Sequence, residues 1–369
     1  MSLSPIAYLK SFASDRDDMT VWSGDAPNWR SFTAWAIVSS AAVVATLFLA
    51  TFALNPFGNF PETALSQKFA DDNQRFDYPS IVRSGLHDSA VFGSSTSRLL
   101  EPAALHEAFG GRFANLSFDA GTAWEQTQIF KLFLREEPTP KMVVLSVDGF
   151  IWCDPQADKK RLTFRLFPEG FYDANPFNDL GDILNLELAD TLNKAVKVML
   201  GSRQPYFDDD GFGDFTPGEA NYDLARAQQH IRSEAKAKRS EPQLSVAELS
   251  SLSFPALNWL EDILATIPAA TDVILARMPI NVAIQPWPAS RLGQSDAECL
   301  ARIADLAARR GLTVFDMAIA SPLTSNDSNY WDSLHYRLPV GRQIVAALHD
   351  AFADGSSSSI LTIRRAADR

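Results

Sequence analysis

Two apolar patterns alternate along most of this chain. Short continuous apolar runs stop at glycine, asparagine or aspartate, and each is followed by a longer stretch in which apolar residues recur every three or four positions. The short runs predict buried strands at 89–92, 112–116, 141–147, 271–276 and 312–315. The periodic stretches predict helices at 101–109, 124–135, 295–310 and 340–352. Strand and helix in strict alternation imply an α/β fold, a parallel sheet with helices on both faces. Between the third and fourth strands the rhythm breaks, and a mainly helical insertion is placed at 150–250. Its first helix, 180–200, carries Leu180, Leu184, Leu188, Leu192, Val196 and Leu200 at four-residue steps. A charged helix at 222–239 follows, and a helix at 247–267 rejoins the sheet repeat.

One segment fits neither pattern. Residues 31–54 are apolar on every face and carry no charge. A run of this length crosses a bilayer as a helix, for which about 20 residues suffice. A cleaved signal is disfavoured, because some thirty residues precede the run and no A-x-A site follows. The expected organisation is a cytoplasmic tail at 1–30, a transmembrane helix at 31–54, a linker at 55–84, an α/β domain at 85–353 and a C-terminal tail at 354–369. Lys10, Arg16 and Arg30 before the helix, against Lys68 and Arg75 after it, bias the N-terminus inward. The expectation is a single-pass protein of a bacterial inner membrane, with its large domain periplasmic or extracellular.

A net charge of −12 leaves no broad basic face, so nucleic acid is not an expected partner. Cys153 and Cys299 lack metal-ligand spacing; they are expected as separate core thiols, able to pair if the domain is exported. The acidic stretch Asp208-Asp209-Asp210-Gly211-Phe212-Gly213-Asp214 lacks the ligand spacing of an EF-hand loop and reads as a solvated loop. Neither a metal nor a cofactor is expected.

The candidate chemistry begins at Gly93-Ser94-Ser95, directly after the first strand. A glycine at a strand end lets the chain bend and carry a serine to the open edge of the sheet, where ligands of α/β proteins bind. On this stretch alone a helix-capping turn is the slightly favoured reading. A serine nucleophile needs an imidazole base, and the imidazole needs a carboxylate to fix its tautomer. Of five histidines, His335 alone falls in a loop after the last strand, and Asp332 stands three residues before it. That spacing sets carboxylate and imidazole side by side, although both residues can also cap the following helix.

Gly93-Ser94-Ser95, the polar loop with Gly121 after the second strand, and Asp332-Ser333-Leu334-His335 together resemble the SGNH/GDSL hydrolase superfamily, over residues 85–150 and 270–352. The resemblance implies a three-layer α/β/α domain with a flavodoxin-like parallel sheet, and a triad of Ser95, His335 and Asp332. Ser-for-Asp in the first block also occurs in membrane-anchored envelope branches of that family. The layout of one transmembrane helix, GSS and a late Asp/His pair is similar to that of teichoic acid D-alanylation and alginate O-acetylation proteins.

Where the family's third block supplies an oxyanion-donating asparagine, this chain has Ser146-Val147-Asp148-Gly149. An ionised carboxylate cannot donate, so the oxyanion would rest on the backbone N–H groups of Ser95 and Gly121. Asp148 is read as structural, as protonated or as binding a substrate hydroxyl, and Asn115 joins it and Gly121 as an oxyanion or substrate candidate. Trp152, Phe164, Phe167, Phe171 and Tyr172 of the insertion suit either core packing or sugar stacking. Two functions follow from the resemblance. One is a membrane-anchored esterase or O-acyltransferase acting on an acylated envelope polysaccharide, a glycolipid or a small ester. The other is a catalytically silent scaffold that binds glycan or recruits an integral membrane acyltransferase.

Overall fold

The computed structural model describes residues 28–366 except 176, 186 and 237. The expected cytoplasmic tail at 1–30 therefore lies almost wholly outside the described residues.

Helix α1, Trp29–Leu54, is the one helix among the described residues long and apolar enough to cross a membrane. At 1.5 Å per residue its 26 residues run about 39 Å, beyond the roughly 30 Å hydrocarbon layer. Its aromatic and aliphatic side chains, Trp35, Ile37, Val43 and Leu49 among them, are exposed. The chain divides into two compact units, 1–49 and 50–369.

The second unit begins with the last turn of α1. Asn55 ends that helix in the left-handed conformation, at φ 44°, and its side chain closes a turn on both backbone groups of Phe60. Helix α2, Gln74–Arg83, follows. The segment 55–84 is thus no linker. Phe57 and Phe76 are buried together against Phe171, and Arg75 and Glu125 form a fully buried ion pair with bonds of 2.7 and 3.1 Å. What reads in sequence as polar spacer is core, with Arg75 neutralised by Glu125 and Asp71 by Lys194 across the fold.

The sheet is built from β1 (Ser89–Phe92), β2 (Phe113–Asn115), β3 (Met142–Ser146), β4 (Asp272–Arg277), β5 (Val314–Asp316) and β6 (Thr362–Arg364). Its spatial order is β2-β1-β3-β4-β5-β6, the first five parallel and β6 antiparallel to β5. The edge strand β6 lies in the expected tail, so Thr362–Arg364 belong to the sheet. Between the strands run α3 (Pro102–Phe109), α4 (Ala123–Glu136), the short α5 (Gly149–Trp152), α6 (Asp179–Ile183), α7 (Leu188–Met199), α8 (Leu224–Glu234), α9 (Val246–Ser251), α10 (Ala256–Thr266) and α11 (Arg291–Ala308). Helix α12, Leu338–Asp354, precedes β6.

Alternate strand positions face opposite sides. Val91, Val144, Ile274 and Phe315 share a buried cluster with Leu105 of α3 and Val340, Ile344 and Leu348 of α12. On the other face Phe92 packs edge-on to Phe130 and Phe133 of α4.

The insertion departs from its sequence reading in detail. The Leu180–Leu200 stripe is two helices, with Leu188 and Leu192 buried while Leu180, Leu184, Val196 and Leu200 are exposed. The predicted 247–267 helix is α9 and α10, parted by a non-helical stretch that runs into Pro255, which itself caps α10. Cys153 and Cys299 are not separate thiols but a disulfide that ties the end of α5 to α11. The partners are 146 residues apart in sequence, and only the return of α11 beside β3's loop brings them together.

Candidate active site

Sheet order fixes where a site can form. From β1 the chain steps out to β2, then crosses back past β1 to β3, so the connections after β1 and β3 diverge and leave a crevice at the strands' carboxyl ends. Ser95 follows β1 at that point. It caps no helix: residues 94–99 form turns, and α3 begins only at Pro102 behind a Glu101 cap without a side-chain bond.

The turn is specified residue by residue. A side chain at Gly93 would overlap the Ser97 hydroxyl and Ser146 Cβ, so the chain can pass only as glycine. Ser97 Oγ donates to Ser94 O at 3.0 Å and reaches Ser117 Oγ at 3.0 Å, stapling the turn to β2's exit. Thr96 and Ser94 hydroxyls both turn inward to Asp148 Oδ2, at 2.5 and 3.3 Å. Residues 93–100 are all buried except Ser95, which is half-buried. The geometry therefore presents one hydroxyl outward.

His335 meets it. Its Nε2 lies 2.8 Å from Ser95 Oγ, and its Nδ1 lies 2.7 Å from Asp332 Oδ2. The other Asp332 oxygen accepts the backbone N–H groups of Leu334 and His335, each at 2.7 Å, so the carboxylate cannot swing away. Burial opposes ionisation of Asp332, but the His335 ring and these backbone N–H groups outweigh it and hold the carboxyl below its usual range. The loop is closed by a Tyr330–Tyr336 bridge, both side chains fully buried, and by Trp331 N–H donating to His335 O at 2.8 Å. Immediately after it, Gly341 lets α12 lie against the Leu99 carbonyl, where a Cβ would overlap it. The loop with His335 and the turn with Ser95 are thus docked through a common contact.

The remaining predicted residues take other places. Asn115 does not face the site: its amide donates to the carbonyls of Ser97, Arg98 and Leu100, at 2.9, 3.3 and 2.9 Å, and its oxygen accepts Ser117 N–H. It clamps the turn from behind, with no donor to spare for an oxyanion. Asp148, buried, accepts Thr96, Ser94 and the Met278 N–H at 3.0 Å, which makes it a support of the turn. Burial pushes its carboxyl up, with the Thr96 and Met278 bonds partly opposing this. Gly121 stands beside the turn, its would-be Cβ 3.4 Å from Gly93 O, and its N–H makes a long 3.3 Å bond to Phe118 O. Ser95 N–H donates to no group among the described residues.

Four neighbours were not visible in the sequence. The Phe215 ring stands edge-on to the His335 imidazole at 5.3 Å, Arg98 lies over Phe215 at 4.4 Å, and Phe207 lies 5.9 Å from the same guanidinium. The fourth is Thr96. The acidic loop that precedes Phe215 is not simply solvated, since Asp210 O accepts Asn115 N–H at 2.8 Å and Gly211 packs on Asn115 O. Of the insertion's aromatics, Trp152, Phe171 and Tyr172 are buried, Phe167 stacks on Tyr172, and Phe164 is exposed. No group of acidic, histidine or cysteine side chains able to hold a metal occurs among the described residues. No protein-family model and no curated protein matches this chain.

Proposed function

We propose that this protein is a membrane-anchored serine esterase or O-acyltransferase of the SGNH type, working through Ser95, His335 and Asp332. The observation that carries the reading is the unbroken line from Ser95 Oγ through the His335 ring to Asp332, with contacts of 2.8 and 2.7 Å. Strand order 2-1-3-4-5, the flavodoxin-like order, and a serine at its switch point support the SGNH assignment.

In this mechanism Ser95 Oγ attacks an ester carbonyl while His335 Nε2 takes its proton. Asp332 holds the Nδ1–H tautomer and stabilises the imidazolium. The tetrahedral intermediate collapses to acyl-Ser95, and the alcohol leaves with the proton from His335. Water or a sugar hydroxyl, deprotonated by His335, then takes the acyl group. The uncommitted Ser95 N–H serves the oxyanion, with the weakly engaged Gly121 N–H beside it. Asp148 has no donor role there.

The apolar helix supports anchoring in a membrane, and the Cys153–Cys299 disulfide supports a domain on the oxidising, extracytoplasmic side. An envelope polysaccharide or glycolipid ester fits that location. The test is turnover of p-nitrophenyl acetate by the full chain in lipid nanodiscs. Activity that Ser95→Ala and His335→Ala abolish supports an enzyme; an inert wild type supports the silent scaffold.

A further inference from the structure

Apolar side chains left in solvent are not spread evenly over this molecule. Half of the large hydrophobic side chains that the described residues from 50 onward leave exposed lie within 162–200, the first arm of the insertion. Phe164 and Phe177 are 85% and 89% exposed, and Leu200 is 71% exposed. Single exposed hydrophobics are ordinary, but a concentration of them marks an interaction surface. Helix α7 shows how this one is built. Its inner face, Leu188, Thr191, Leu192 and Ala195, is buried. Val196, Met199 and Leu200 carry the apolar character past that face into solvent, and Leu180 and Leu184 are exposed in and just after α6.

The place of this arm in the fold says what covers it. The chain leaves α1 at Leu54 and doubles back onto its last turn: Thr63 Oγ1 donates to Ala53 O at 2.7 Å, and Gln67 N–H donates to Leu54 O at 2.6 Å. Directly beyond, Phe69 O accepts Tyr206 N–H at 2.6 Å, and Asp71 accepts the Thr191 hydroxyl at 2.7 Å and Lys194 at 2.8 Å. Residues 191–206, with the exposed end of α7 among them, are therefore pinned at both ends to the segment that emerges from α1. The start of the arm is held there too, since Asn73 donates to Leu166 O at 3.1 Å and Phe171 packs on Phe57, three residues past the helix. Where α1 crosses a bilayer, its Leu54 end emerges at the headgroups, and a surface tied this closely to it meets them as well. Charge adds no pull toward anionic lipid, because residues 162–200 hold six acidic and three basic side chains. The attraction is apolar.

We propose that the 162–200 arm rests in the surface of the bilayer that α1 spans, with Phe177 and Leu200 entering the boundary between headgroups and acyl chains. The inference rests on the membrane anchor of the proposed function and not on its chemistry. The anchor already supplies a high local concentration of lipid surface, so a modest apolar contact suffices. A tether alone would leave the domain free to swing, whereas this contact gives it one standing orientation on the membrane.

The test uses the full chain in phosphatidylcholine nanodiscs, with one nitroxide label per protein. Labels are attached through Phe177→Cys, Leu200→Cys, Val44→Cys in α1, and Val246→Cys, an 81% exposed apolar position outside the arm. Power-saturation spectra then compare collisions with oxygen, which concentrates in lipid, and with a water-soluble nickel chelate. The labels at 177 and 200 should lie about 5–10 Å below the headgroup level, at low and high salt alike, with the Val246→Cys label in water. Labels at 177 and 200 as open to the nickel chelate as the one at 246, with the α1 label in hydrocarbon, overturn the proposal and leave the anchor standing. Labels shielded from both reagents mean that protein, a second copy included, covers the arm, and overturn it equally. An α1 label in water overturns the anchor and the proposal with it.

Discussion

The Thr96 hydroxyl donates to Asp148 Oδ2 across 2.5 Å, tying the residue next to Ser95 to the first turn beyond β3. Two strands thereby hold one serine. Asp148→Ala would strand the Met278 N–H and leave the Thr96 and Ser94 hydroxyls, 2.9 Å apart, only each other as partners in a buried site, at about 1–3 kcal/mol for each bonding group left unsatisfied. Asp148→Asn keeps an acceptor and a hydroxyl partner. Chemical unfolding should show Asp148→Ala less stable by several kcal/mol and Asp148→Asn by about a third of that or less; equal losses would mean the carboxylate does not organise the turn.

Gly93 has no room for a methyl group, since a Cβ would overlap Ser97 Oγ and Ser146 Cβ. Overpacking of this kind typically costs about 1–3 kcal/mol. Gly93→Ala should therefore displace Ser95 from His335 and cut ester turnover by about 10²-fold, the penalty of an ångström-scale misplacement. Near-wild-type kcat in Gly93→Ala would show that the turn tolerates expansion.

Asp77 of α2 is fully buried, and neither carboxylate oxygen has a hydrogen-bond partner. Burial first, then Asp71 and Asp72, raise its pKa well above the usual value. A raised folded pKa means that the native state holds a proton the unfolded chain releases, so Asp77 costs stability above the unfolded pKa of about 3.9 and costs nothing below it. Asp77→Asn should accordingly stabilise the protein at pH 7, the gain fading as pH falls below about 4. Thermal unfolding across pH checks this. A gain independent of pH would point to packing instead of charge.

The Cys153–Cys299 bridge closes a loop of 146 residues. On the chain-entropy account such a loop is worth about 5 kcal/mol, an upper figure for a protein whose native geometry is unchanged. Cys153→Ser with Cys299→Ser should lower the melting temperature by several degrees. The same result should follow from a reductant on the wild type and be absent when reductant is added to the double variant.

Much of the sheet and the Asp332–His335 pairing was legible because their signals are local. Ser89–Phe92 and Met142–Ser146 are continuous apolar runs, and Asp332 and His335 sit within one turn of each other. What stayed hidden depends on long-range pairing. Arg75 reads as a surface charge until Glu125, fifty residues on, neutralises it in the core. Thr362–Arg364 reads as tail because three residues become a strand only by pairing with β5. Asn115 carries the right chemistry for an oxyanion donor, and only the three carbonyls around it show that its amide is spent. Phe215 belongs to an insertion whose sequence bears no mark of His335, and the fold alone brings them to 5.3 Å.

The central claim is that Ser95 is a nucleophile activated by His335 and Asp332. Labelling of the full chain in nanodiscs with a serine-reactive fluorophosphonate, followed by peptide mapping, tests it most directly. The account predicts one adduct per chain, on Ser95, none in Ser95→Ala, and labelling slowed at least about 10²-fold in His335→Ala. An unlabelled wild type, or Ser95 labelling indifferent to His335→Ala, would contradict it.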